Sequence, residues 1–79
     1  MWNYRLVEEE DEFGNIIVSI SEVYYDDNGN PNSFVPDVGV RGEFVEEVLE
    51  QYELMEEAFI KPVIRYRLVG GRHEFTEII

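Results

Sequence analysis

Between residues 42 and 60, apolar side chains recur at the 3.6-residue spacing of a helix, and no other part of this 79-residue chain keeps that period. At 100° per residue, Phe44, Val45, Val48, Leu49, Tyr52, Met55 and Phe59 fall on one broad arc, the expected core face. Pro62 closes the segment, because proline cannot continue a helix. A single helix encloses no core of its own, so this arc has to rest on another layer.

That layer reads as strands. Residues 2–7 alternate apolar and polar, and residues 16–25 are rich in β-branched and aromatic side chains. Within the second run the apolar positions shift from Ile16, Val18 and Ile20 to Val23 and Tyr25, which predicts a bulge near Ser21 or Glu22. Tyr24 and Tyr25 must point to opposite sides of the sheet, as strand neighbours do. Asn28-Gly29 predicts a type I′ hairpin turn, followed by a short edge strand over 32–35 between Pro31 and Pro36. After Pro62, residues 63–69 alternate again, Gly70-Gly71 turns the chain, and residues 72–79 return. That turn sets Tyr66 opposite Phe75, Arg67 opposite Glu74 and Leu68 beside His73. The expected fold is α+β: one domain over residues 1–79, an antiparallel sheet of about five strands (β-β-β-α-β-β) with one amphipathic helix on one face. No internal repeat is evident.

Charge narrows the partners. Eighteen acids face six Lys and Arg, a formal net charge of −12. Nucleic acid and anionic membranes are repelled by such a field, while basic protein surfaces are attracted. The absence of cysteine excludes disulfides and thiolate chemistry. No segment approaches the roughly 20 apolar residues of a membrane span, which points to a cytoplasmic location. Only the last quarter, with Lys61, Arg65, Arg67 and Arg72, is slightly basic, and it is suited to neutralising acids elsewhere in the domain.

Catalytic chemistry finds little support. His73 is the only histidine and sits on a strand, and no serine lies in a nucleophile elbow. Asp26-Asp27-Asn28-Gly29-Asn30 supplies oxygen ligands at calcium-loop spacing, yet Pro31 stands where such a loop needs glycine. The reading is a non-enzyme that calls for no cofactor and no metal.

The helix carries the candidate binding surface. Glu43, Glu46, Glu47, Glu50, Glu53 and Glu57 fall within about 120° of arc opposite the core face. Like-charged i,i+4 pairs along this arc each cost about 0.2–0.5 kcal/mol, and only Glu57 has a nearby cation, Lys61. The six carboxylates of this arc, from Glu43 to Glu57, cover about 21 Å of axis in five intervals of ~4 Å, near the ~3.4 Å per charge of one DNA strand. Leu54 projects into the same arc as an apolar anchor ringed by charge.

Three stretches carry a resemblance: Trp2-Asn3-Tyr4-Arg5-Leu6, the segment from Glu22-Val23-Tyr24-Tyr25 through Gly29-Asn30-Pro31, and Leu54-Met55-Glu56-Glu57-Ala58-Phe59-Ile60-Lys61-Pro62-Val63. Together they resemble a group of short, acidic, uncharacterised bacterial proteins of cyanobacteria and proteobacteria. The resemblance implies the strand–hairpin–helix order and a cytosolic bacterial or phage origin, and it implies no active site. This chain departs from the group after Val63, where a further hairpin follows.

The expectation is an acidic protein-binding or inhibitor module that presents its carboxylate-rich helix to a basic, nucleic-acid-binding surface, as phage anti-CRISPR-like mimics do. The alternative is a housekeeping accessory protein or small homodimer whose acidity is incidental. Glu74 and Glu77, far from the helix, are expected to be indifferent to binding.

Overall fold

The computed structural model describes residues 1–78. Strands β1 (Trp2–Glu10), β2 (Ile16–Tyr25) and β3 (Pro31–Val35) form a meander. Helices α1 (Val45–Met55) and α2 (Glu57–Ile60) cross back, and β4 (Val63–Val69) and β5 (Arg72–Ile78) make a closing hairpin. The strands lie in the order β3-β2-β1-β4-β5. Neighbours are antiparallel except β1 and β4, which run parallel through Val7↔Ile64 and Glu8↔Arg65. The expected all-antiparallel sheet is therefore corrected to a mixed one. β3 runs in the direction of β1, so a helix returning over the sheet delivers the next strand in that direction too.

Two turn expectations meet different outcomes. Gly70 and Gly71 take φ of 58° and 78°, and the hairpin has the expected register, Tyr66↔Phe75, Arg67↔Glu74 and Leu68↔His73. At Asn28-Gly29 the turn is not type I′, because only Gly29 adopts positive φ, at 80°. Asp26 decides this. Its Oδ1 accepts the N–H groups of Asn28 and Asn30, both at 2.9 Å, while Gly29 N–H donates to the Asp26 carbonyl at 3.0 Å. The result is a type I turn followed by a left-handed glycine. The same device stands at the other end of β2, where Asp11 Oδ1 accepts from Phe13 and Asn15 and Gly14 has φ 83°. Asp-x-x-Gly-Asn is thus a short internal repeat, one copy at each end of β2, where none is expected.

Each face of the sheet carries its own core. Under the helices, Tyr4, Met55 and Ala58 are buried against Leu6, Ile20, Val38 and Val40. On the other face Val7, Val23 and Ile64 are fully buried among Tyr25, Phe34, Tyr66 and Phe75. No helix covers that second cluster; the sheet itself does. In a flat sheet the edge strands β3 and β5 would lie about 19 Å apart at ~4.8 Å per strand. Here the Phe34 and Phe75 rings meet at 5.9 Å and Phe34 and Tyr66 at 4.8 Å, so the sheet coils until its edges touch.

Two cores also explain the switch along β2. Ile20 packs under the helices and Val23 and Tyr25 on the concave side, and simple alternation serves both; Ile16 and Val18 share the side of Ile20 but stay exposed. The expected bulge near Ser21 and Glu22 is absent from the β1–β2 pairing, which runs unbroken from Trp2↔Tyr24 to Glu10↔Ile16. A register shift does occur between Tyr24 and Tyr25, against β3.

Charge stitches β1 to the C-terminal hairpin. Glu8 Oε1 lies 2.7 Å from Arg67 Nη2 and 3.2 Å from Arg65 Nε, and Glu10 lies 3.3 Å from Arg67 Nε. Arg67 therefore reaches back to β1 for its ion pairs, although Glu74 is its cross-strand neighbour. The parallel register places these groups together on one face. Arg5 is buried on the opposite face and donates to Tyr25 Oη at 3.0 Å, the Pro62 carbonyl at 2.6 Å and Glu77 Oε1 at 3.0 Å. Among the described residues, no helix is long and apolar enough to cross a membrane.

Candidate functional site: the projecting helix α1

The single helix expected over residues 42–60 begins only at Val45, leaving Glu43 and Phe44 ahead of it, and is divided at Glu56 into α1 and the one-turn α2. α2 is the piece seated on the sheet: Ala58 is fully buried, and Glu57 Oε1 accepts the Tyr4 backbone N–H at 3.0 Å. That N–H lies on the part of β1 that precedes its pairing with β4, so a carboxylate occupies the place of a strand partner. Glu57 also lies 3.6 Å from Lys61 Nζ. It belongs to the scaffold and leaves the candidate surface.

α1 touches the sheet by one shoulder. Met55 is buried, Val48 is half-buried, and the Tyr4 hydroxyl donates to Gln51 Oε1 at 3.2 Å. The expected core face is thus corrected, being buried along one edge only. Its other edge is in solvent, with Val45 80% exposed, Leu49 56% and Tyr52 58%. Phe44, at the helix start, and Phe59, on α2, are exposed as well. The broad arc of apolar positions hides this split, because period alone does not say which half meets the sheet. Gln51, polar and on the shoulder that meets Tyr4, is the one signal that could have located the contact.

The acidic arc lies beyond the exposed apolar edge. Glu43, Glu46, Glu50 and Glu53 are exposed, as is Leu54 at 57%. Glu47 folds back so that its Oε2 accepts the Glu43 N–H at 2.8 Å, satisfying a donor ahead of the first turn. Gly42 leaves room for this bond, since a Cβ there would stand 2.7 Å from Glu47 Cβ. Among the described residues, no ion pair reaches Glu43, Glu46, Glu50 or Glu53. Four of the six Lys and Arg, namely Arg5, Lys61, Arg65 and Arg67, are held by Glu77, Glu57, Glu8 and Glu10.

Perturbed titrations have structural causes. The Arg67 and Arg65 guanidinium groups hold the Glu8 carboxyl below its ordinary value, and hydrogen bonds from Asn15 and Phe13 do the same for Asp11. Burial, with Glu22 and then Glu57 adding their charge, raises the Tyr4 phenol; burial and Glu22 raise that of Tyr24. His73 stacks on Tyr66, its Nδ1 sharing a hydrogen bond with the phenol, at the gap between β3 and β5. Among the described residues, no group of three or more His, Asp or Glu side chains is placed to hold a metal.

One expectation follows for Glu8. A depressed carboxylate stabilises the fold at pH above its unfolded value, near 4.5, and that contribution is lost as pH falls through the lower folded value. Glu8→Gln should therefore be less stable than the parent at pH 7 and should lose less on going from pH 5 to pH 3. Urea midpoints across that range measure it, and parallel pH curves for the two proteins would contradict the assignment.

No family model, curated protein or solved structure matches the chain.

Proposed function

We propose that this protein is a binding module that docks α1 on a basic protein surface of the kind that otherwise holds nucleic acid. The supporting observation is the uncompensated arc of Glu46, Glu50 and Glu53 on α1, with Leu54 among them and Glu43 just ahead of the helix, all exposed where the helix only partly touches its own sheet. Four of the six Lys and Arg are paired with Glu8, Glu10, Glu57 and Glu77, so the carboxylates on α1 are left to interact with something else. The three that lie on α1, Glu46, Glu50 and Glu53, span about 10 Å at 1.5 Å per residue, one per ~5 Å, sparser than a DNA strand at ~3.4 Å. Glu47 keeps its charge while capping and adds to the same side. The likeness to nucleic acid is therefore one of sign and side, not of phosphate-by-phosphate spacing.

The test is capture from a bacterial lysate at low and moderate salt, with each retained protein identified and re-measured in pure form. Reversal of Glu46, Glu50 and Glu53 to lysine should leave the melting curve cooperative and abolish retention. The parent should retain basic proteins that salt and duplex DNA displace. Equal retention by the reversed protein would reduce the arc to a solvated surface.

A further inference from the structure

The exposed apolar edge of α1 carries a second piece of information. Val45, Leu49 and Tyr52 follow the i, i+4, i+7 spacing by which amphipathic helices enter grooves, about 10 Å of seam at 1.5 Å per residue. The seam is bordered on its outer side by Glu46 and Glu53 and on its inner side by the shoulder resting on Tyr4. A folded chain of 9.3 kDa is expected to expose about 5,000 Å². This one exposes 5907 Å², and it extends 44 Å along its longest axis. The excess, about 900 Å², belongs to the chain as a whole, with exposed Ile16, Ile17 and Val18 on β2 contributing as well as Val45, Leu49 and Tyr52.

We infer that α1 inserts Val45, Leu49 and Tyr52 into an apolar groove of another protein whose rim carries lysine or arginine facing Glu46 and Glu53. This rests on the acidic-module reading and specifies the partner: charge alone does not hold it, because the floor of its site is apolar. A second copy of this chain is the weaker occupant. It would bring another −12 net charge and another set of uncompensated glutamates toward the same seam, and like charges across an interface oppose association. A groove with a basic rim satisfies both halves of the helix at once, an apolar centre and a charged border.

Synthetic helical peptides of one length serve as probes. One has a leucine seam with lysine flanks, the second keeps the lysines but replaces the seam with serine, and the third keeps the leucines but has glutamate flanks. Affinity is read by fluorescence anisotropy, with chemical-shift mapping on the protein and sedimentation to fix its mass. The expected result is that the first peptide binds at least tenfold tighter than either other, shifting Val45, Leu49 and Tyr52. Leu49→Ser, a change at a largely exposed position, should remove that advantage while the melt stays cooperative and shifts by only a few degrees. Equal binding of the two lysine peptides, unaltered by Leu49→Ser, overturns the groove and leaves the acidic reading standing. Equal binding of the two leucine peptides, or none by any peptide, overturns both. A dimer that Leu49→Ser converts to monomer assigns the seam to a second copy and also overturns the inference.

Discussion

Truncation after Val63 is expected to leave a chain that does not fold. A domain of 79 residues has about 4–12 kcal/mol of stability at 0.05–0.15 kcal/mol per residue. Ile64, fully buried beside Val7, would by itself cost about 2–5 kcal/mol if cut to alanine. The truncation removes Ile64 together with Tyr66 and Phe75, which close the concave core against Phe34. It also removes Arg65 and Arg67, leaving Glu8 and Glu10 with like-charged neighbours, and Glu77, the counter-charge of buried Arg5. β1 would become an edge strand with fully buried Val7 uncovered. Far-UV circular dichroism and a thermal melt decide the matter, and a truncated chain that melts cooperatively near the parent temperature would show that the first three strands and helices form an independent unit.

The difference between what residues 63–78 contribute and what their sequence reveals comes from range. The hairpin around Gly70-Gly71 is legible because turn and alternation set its register locally, and Tyr66 does face Phe75. The parallel seam of Val7 and Ile64 joins residues 57 apart, as does the neighbouring Glu8–Arg65 pair, and no local pattern encodes it. The apparent face change along β2 was a faithful signal given the wrong cause. It records two cores on two faces, which becomes intelligible once Phe34 is seen to reach Phe75 across the coiled sheet. At the site, the acidic arc and Leu54 were legible from helical spacing. Glu57 was not separable from its neighbours, because its role depends on an unpaired N–H at Tyr4. Val45, Leu49 and Tyr52 fit the core pattern for a similar reason: apolar character marks residues that leave water, not the surface that covers them.

Arg5 yields the second large effect. Its side chain is 5% exposed, and it ties β1 to β2 through Tyr25, to the α2–β4 junction through the Pro62 carbonyl and to β5 through Glu77. Tyr25 Oη also donates to Asn3 Oδ1 at 2.8 Å, so the arginine sits in a small polar network inside an otherwise apolar face. Arg5→Ala should cost about 2–4 kcal/mol, through lost packing of the side chain and acceptors left without a donor. Glu77→Leu should cost about 1–3 kcal/mol, because it leaves a buried guanidinium without its counter-charge; the half-exposed carboxylate it removes keeps the figure below that of a sealed pair. Glu77 is therefore no neutral control, contrary to the expectation from its distance to the helix in sequence. Arg5 Nε is buried without a hydrogen-bond partner, so the native arrangement already carries a cost that an apolar side chain would not. The double substitution Arg5→Met, Glu77→Leu should accordingly be more stable than Glu77→Leu alone, since it removes the orphaned charge and retains volume. Urea denaturation of the parent, both singles (Arg5→Met and Glu77→Leu) and the double closes the cycle. A double substitution whose loss is simply the sum of the two singles would mean that Arg5 and Glu77 act independently and that the buried network does not hold β5 to β1.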